Sequence, residues 1–89
     1  MNSVESFSAT YAEARDKFVE AATAAGGTLE RIANPNLGPD GGELSADVAW
    51  FGPRTAEKVL VMVSGTHGAE GFCGSGAQVD WLRRGEAKP

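Results

Sequence analysis

The segment VLVMV, residues 59–63, limits the possible folds more than any other part of the chain, because its five apolar residues follow one another without interruption. An apolar run of this length, bounded by turn residues, is typical of a strand that is buried on both faces of a sheet. Such a strand needs neighbours along both edges and packed layers on both faces. The run leads directly into residues 64–76, SGTHGAEGFCGSG, a glycine-rich loop. We therefore expect a buried strand followed by a tightly folded loop.

Capping residues predict one helix before this strand and one after it. Thr10 and Glu13 match a capping box, in which each side chain satisfies a backbone N–H of the opening turn, at the start of a helix over residues 10–25. Ser75 and Gln78 form a second match, and we expect a helix to continue behind them. Both helical segments run into glycine, which ends helices at little steric cost.

A β-hairpin is predicted between the first helix and the buried strand. Residues 28–33 predict a short strand, and residues 34–43, with two prolines and three glycines, predict a long turn. Residues 44–52 alternate with the period of a strand that has one face covered. The apolar side chains on that face are Leu44, Ala46, Val48 and Trp50. The order helix, strand hairpin, buried strand, glycine-rich loop, helix predicts an α/β fold.

Length and composition exclude several classes of protein. The chain has 89 residues, which is enough for one domain at most. Its net charge of −4 and the lack of a basic cluster beyond Arg83-Arg84 disfavour nucleic acid and anionic membranes as partners. The first twenty residues lack the apolar core of a signal peptide, and the one cysteine fits a reducing compartment. A soluble cytoplasmic protein is the expectation.

The loop after residues 59–63 is the candidate functional site, since ligands in open α/β sheets bind beyond the carboxyl ends of the strands. His67, the only histidine, and Glu70 supply an imidazole nitrogen and a carboxylate, which are ordinary zinc ligands. A spacing of three residues can turn both side chains toward one point. Gly65 and Gly68 would let the loop fold closely around an ion. We therefore name His67 and Glu70 as candidate metal ligands, with Gly65 and Gly68 in support.

The His-x-x-Glu spacing by itself leaves other interpretations open. His67 can be hydrogen-bonded to the loop backbone, with Glu70 solvated or capping the next turn. The loop can also hold an anion or a partner at the helix N-terminus in a non-catalytic α/β binding module, although neither the dinucleotide nor the phosphate-loop fingerprint is present. Cys73 lies where a helix dipole can activate a thiol. A cysteine more often acts as a small residue packed in the interior, and we expect Cys73 to be partly or fully buried.

Two stretches of the chain resemble the start of the zinc carboxypeptidase superfamily, which includes carboxypeptidase A-like and aspartoacylase-like enzymes. They are FSATYAEARDKFVEAATAAGG, residues 7–27, and VLVMVSGTHGAEGFCGSGAQ, residues 59–78. Within the superfamily the chain is most similar to a bacterial branch known as a domain of unknown function. The resemblance implies that His67 and Glu70 are the first two zinc ligands. It also implies a mixed sheet between helices, with the metal at the strand ends.

The resemblance further implies which parts of a complete site the chain leaves out. The superfamily adds a second histidine ligand, a glutamate general base and an arginine–asparagine pair for substrate, all further along its domain. This chain has one histidine, and Ala69 stands where many carboxypeptidases carry arginine. We therefore expect residues 1–89 to form the N-terminal portion of a single zinc-peptidase-like domain, inactive alone. The complete enzyme would hydrolyse an amide in a peptide or small-molecule substrate, with the catalytic residues and the oligomeric state unassigned.

Overall fold

The structure is a computed structural model that describes residues 2–66 and 69–88. Its elements, in chain order, are a 3-10 helix Ser3–Ser6, the helix α1 Tyr11–Ala24, the strands β1 Thr28–Leu37 and β2 Glu43–Trp50, and the helix α2 Gly71–Arg83. The predicted fold class is confirmed, since helices and an antiparallel hairpin make up a mixed α/β arrangement. No helix in the described part of the chain is long and apolar enough to cross a membrane.

Helix α1 has the boundaries that its capping residues predict. The Thr10 side chain accepts a hydrogen bond of 3.2 Å from the backbone N–H of Glu13, which satisfies a donor of the opening turn. At the other end Gly26 takes a φ of 89°, and the N–H groups of Gly26 and Gly27 donate to the carbonyls of Thr23 and Ala22. This pair of bonds is a Schellman motif, and it satisfies carbonyls that the helix leaves unpaired.

The predicted hairpin is present, but its connection is tighter than expected. β1 and β2 pair antiparallel from Thr28 opposite Trp50 to Ala33 opposite Ser45, and again at Leu37 opposite Glu43 after an irregularity. Residues 34–37 therefore belong to the first strand rather than to a ten-residue turn. Within the short remaining turn, the Gly38 N–H donates to the Gly42 carbonyl over 2.8 Å.

The face of the hairpin that meets α1 is not the apolar face that the alternation predicts. Arg15 of α1 donates to Ser45 Oγ over 3.0 Å and forms a 2.9 Å ion pair with Asp47. The covered face thus carries polar side chains because α1 supplies their partners. Val48 and Ile32, on the other face, remain 43% and 58% exposed. The expectation that Leu44, Ala46, Val48 and Trp50 face the core was therefore wrong.

The core lies mainly between the two helices. Ala21 and Ala22 of α1 and Val79 and Leu82 of α2 form one buried cluster. Partly buried apolar residues from both helices, the hairpin and the C-terminal segment surround it: Phe18, Leu29, Ala49, Phe51, Trp81 and Ala87. Because two of the four central residues are alanines, the helices pack closely but bury little apolar area.

Asp80 attaches the N-terminal 3-10 helix to α2. Its carboxylate accepts hydrogen bonds from Ser3 and from the buried Ser6, at 3.2 and 3.1 Å, and lies 2.7 Å from Arg84 Nε. The bond from Arg84, supported by those from the two serines, holds the pKa of Asp80 below its usual 3.8. Its contribution to stability is therefore present above the usual pKa and is lost as the pH falls through the lowered one.

Residues 59–63 do not form the buried strand that their composition predicts. The segment belongs to no helix or strand, and its side chains are exposed, from 45% for Met62 to 82% for Leu60. A strand requires a hydrogen-bonded neighbour. In the described part of the chain, β1 and β2 pair with each other and with no third strand. Residues 59–63 therefore do not form a strand because they lack a pairing partner, and not because their side chains disfavour a strand.

We predict opposite effects on stability for alanine at two glycines of α2. A Cβ atom on Gly76 would overlap the ring of Phe7, with Cγ at 2.6 Å, whereas on Gly74 the nearest atom is Ser64 Cβ at 3.6 Å. Gly74→Ala should raise the free energy of unfolding by about 0.5–1 kcal/mol, because glycine weakens a helix interior. Gly76→Ala should be less stable than Gly74→Ala by about 1–3 kcal/mol, because of overpacking.

Urea denaturation of the two variants and the parent chain measures both effects. Equal stability of Gly74→Ala and Gly76→Ala would contradict the packing of Phe7 on α2.

Candidate functional site

The described residues of the candidate site meet at the N-terminus of α2. Glu70 is the N-cap residue of this helix, and Gly65 precedes it in the loop with a φ of 75°. Glycine adopts a positive φ without steric strain, so this conformation explains the glycine at position 65. His67 and Gly68 lie outside the described residues. The predicted approach of the His67 and Glu70 side chains to each other accordingly stays a prediction.

Gly71 brings the loop against the helix. A Cβ atom at this position would lie 3.0 Å from the carbonyl oxygen of Thr66, and 3.1 and 3.2 Å from the backbone carbonyl carbon and Cα of Gly65. These are backbone atoms, so they cannot turn aside as a side chain would. The missing side chain of Gly71 is what allows the 65–66 backbone to lie directly on the first turn of α2.

Gln78 joins the preceding segment to the same helix. Ser64 Oγ donates to Gln78 Oε1 over 2.6 Å, and Gln78 Nε2 donates to the carbonyl oxygen of Met62 over 3.1 Å. The chain leading into the loop is thus held by one side chain that lies two turns along α2. The sequence predicted Gln78 only as a capping residue. Ser64 and Gln78 lie 14 positions apart in the sequence, and no sequence pattern indicated that they are in contact.

The predicted capping box of Ser75 with Gln78 is wrong. Helix α2 begins at Gly71, so Ser75 lies inside the helix, and Gln78 is engaged with Ser64 instead. The glycines explain the difference. Gly71, Gly74 and Gly76 are helical residues with no positive φ. Because they lack side chains, they allow the loop and Phe7 to pack closely on α2. They do not provide the conformational freedom of a flexible loop.

Cys73 is exposed, in the first turn of α2. The expectation that it is partly or fully buried was wrong, because the tight face of α2 is occupied by glycines. Exposure alone does not make a thiol reactive, since reactivity also requires a neighbouring group that stabilises the thiolate. Its exposed position leaves Cys73 without a packing role.

The donor chemistry of the loop fits zinc but is incomplete. Imidazole and carboxylate are both common zinc ligands, and protein sites use three or four ligands. Within residues 2–66 and 69–88 no group of three or more histidine, cysteine, aspartate or glutamate residues is placed to hold a metal ion. Glu70 is the described candidate ligand. Its position at the N-terminus of a 13-residue helix favours a negatively charged side chain.

A family model described as "Protein of unknown function (DUF2817)" matches residues 7–89. The match covers most of the sequence, and the chain belongs to this family. Comparison with curated proteins and with solved structures gave no match. The resemblance to a domain of unknown function is thereby confirmed, whereas membership of the zinc carboxypeptidase superfamily stays a prediction.

We predict that Gln78→Met frees the chain leading into the site. Methionine has a similar length but lacks the side-chain amide. It therefore loses the hydrogen bond accepted from Ser64 and the one donated to the Met62 carbonyl. The backbone order parameters of residues 62–66, measured by nitrogen-15 relaxation, should fall, while those of α1 stay unchanged.

Gln78→Glu is the matched control. Glutamate keeps an oxygen that accepts from Ser64 but cannot donate to the Met62 carbonyl, and the order parameters of residues 62–66 should lie between those of the parent and Gln78→Met. Unchanged order parameters in Gln78→Met would show that this side chain does not hold the loop.

Proposed function

We propose that the chain carries the first two zinc ligands, His67 and Glu70, of a metal-dependent amide hydrolase. The observation that supports this most is the close approach of the Gly65 and Thr66 backbone to Gly71, where an added Cβ atom would lie 3.0–3.2 Å from that backbone. This contact brings the loop to the helix end at which Glu70 is the N-cap. His67 is bonded to Thr66, and consecutive Cα atoms are about 3.8 Å apart. The proposal therefore assigns both ligands to the loop at this end of α2.

The residues around the pair would have distinct tasks in this proposal. Glu70 would bind through its carboxylate, and His67 through the unprotonated imidazole nitrogen. Gly65 and Gly68 would allow the backbone to turn tightly beside the ion, and Gln78 would keep the incoming segment fixed through Ser64 and Met62. A bound zinc supplies Lewis-acid polarisation of a carbonyl and a water that ionises near neutral pH.

The rest of the proposed active site would come from polypeptide other than these 89 residues. The sequence holds a single histidine, so a third ligand of the type that the resemblance implies must be supplied from elsewhere. The general base and the substrate-binding groups are equally unassigned. We propose a peptide or an acylated small molecule as the substrate class of the complete enzyme, which acts in the cytoplasm. The 89 residues alone would be inactive.

We predict weak zinc binding by the chain that depends on both His67 and Glu70. Two protein ligands leave zinc largely hydrated, and ordering each loop residue costs about 1–2 kcal/mol. Binding should fall below about pH 6, where imidazole takes up a proton and no longer binds metal. His67→Ala and Glu70→Ala should each abolish it. Calorimetric titration of zinc into the chain at two pH values measures these effects.

Cys73→Ser is the control, because it removes the exposed thiol from the neighbouring helical turn and leaves both proposed ligands. It should bind zinc as the parent does. If His67→Ala and Glu70→Ala bind as tightly as the parent, these residues are not the site. If only Cys73→Ser loses binding, a thiolate site replaces the proposed one.

A further inference from the structure

The hydroxyl of Tyr11, the first residue of α1, is bonded to the backbone of β2. Tyr11 Oη donates to the carbonyl oxygen of Ser45 over 3.0 Å and accepts from the Ser45 N–H over 2.8 Å. In a strand, the N–H and C=O groups of one residue point to the same side, and this side alternates from residue to residue. Because both groups of Ser45 are bonded to Tyr11, they point away from β1. The hydroxyl therefore lies at the outer edge of β2, the edge that faces away from β1.

Arg15 holds α1 against the same residue of β2. It lies one turn after Tyr11, donates to Ser45 Oγ over 3.0 Å and forms the 2.9 Å ion pair with Asp47, whose side chain is 10% exposed. Ser45 thus has its N–H, its C=O and its hydroxyl oxygen bonded to side chains of α1. Residues four apart share one face of a helix. The contacts that attach α1 to the hairpin therefore also fix the Tyr11 hydroxyl at the edge.

The next outward-facing backbone groups of β2 belong to Asp47 and Ala49. In the part of the chain that the structure describes, the sheet has two strands, and no hydrogen bond reaches these groups on the outer edge. Unpaired edge groups are templates for a further strand, and proteins protect them against unwanted pairing. A strand that approaches β2 meets unpaired groups at Asp47 and Ala49, but it meets Tyr11 at Ser45.

We propose that the Tyr11 hydroxyl stops strand addition at the outer edge of β2. Packing of the ring does not explain a tyrosine here, because Tyr11 is 40% exposed and phenylalanine would cover the same area. An incoming strand has to displace the hydroxyl and break both hydrogen bonds of Ser45. While Tyr11 stays in place, pairing is limited to residues 47–49, which is at the short end of strand lengths.

The inference does not depend on the proposed metal site, since Tyr11 and Ser45 belong to α1 and β2 and neither is a proposed ligand. It also applies when further polypeptide completes the domain. A strand from that polypeptide can pair with β2 at Asp47 and Ala49, but at Ser45 it has to displace Tyr11. Zinc binding that is lost in His67→Ala leaves the role of Tyr11 unaffected.

Sedimentation of the parent chain and of Tyr11→Phe over a concentration series tests this role. Phenylalanine keeps the ring and frees the Ser45 backbone, so Tyr11→Phe should self-associate at a concentration at least about tenfold lower than the parent. Adding Ala46→Lys, at an exposed position next to Ser45, should restore the behaviour of the parent, because lysine on an edge strand opposes pairing. Equal self-association of the parent and Tyr11→Phe, or association that Ala46→Lys does not reduce, would overturn the proposal.

Amide hydrogen exchange tests the contact itself, at a concentration where both chains are monomeric. The Ser45 N–H is bonded to Tyr11, whereas the Asp47 N–H on the same edge has no hydrogen bond among the described residues. Relative to an unstructured peptide, the Ser45 amide of the parent should exchange at least about fivefold more slowly than the Asp47 amide, and in Tyr11→Phe this difference should disappear. Equal exchange of the two amides in the parent would overturn the proposal, because Tyr11 would not occupy the edge.

Discussion

The packing of α1 on α2 holds the two halves of the chain together. The cluster of Ala21, Ala22, Val79 and Leu82 joins a helix near the start of the sequence to one near its end. The hairpin packs on α1, the 3-10 helix is bonded to Asp80 of α2, and the loop lies on Gly71 of α2. Because α2 carries the last two contacts, its position relative to α1 determines where the candidate site lies.

The glycines of α2 connect this packing to the proposed function. Gly71 admits the loop backbone, and Gly76 admits the ring of Phe7. Each glycine costs helix stability, by about 0.5–1 kcal/mol relative to alanine. The cost is offset by contacts that a side chain would prevent. Helix α2 is therefore less stable by itself than an alanine-rich helix would be, but it can hold the segment from residue 62 to residue 66 against its first two turns.

Sequence reasoning succeeded where local interactions decide the structure. Thr10, Glu13 and Gly26 fix the ends of α1 through bonds within a few residues, and the hairpin follows from alternation and turn residues. Sequence reasoning failed where the structure depends on a partner that is distant in the sequence. The 59–63 segment is apolar enough for a buried strand but has no pairing strand among the described residues, and β2 turns its polar face to Arg15. At the site, helix α2 begins at Gly71 instead of behind Ser75, so Glu70 is its N-cap residue rather than part of a longer loop. The contacts of Gly71 and Gln78 depend on tertiary packing and were missed.

The central claim is that His67 and Glu70 bind one zinc ion, and the single histidine makes its imidazole the natural probe. Long-range proton–nitrogen correlation spectra of uniformly labelled protein report both imidazole nitrogens without ambiguity. On addition of zinc, one nitrogen should shift to a metal-bound frequency, and Glu70→Gln should move this transition to higher zinc concentration. Imidazole signals that do not respond to zinc, or that respond identically in Glu70→Gln, would contradict the account.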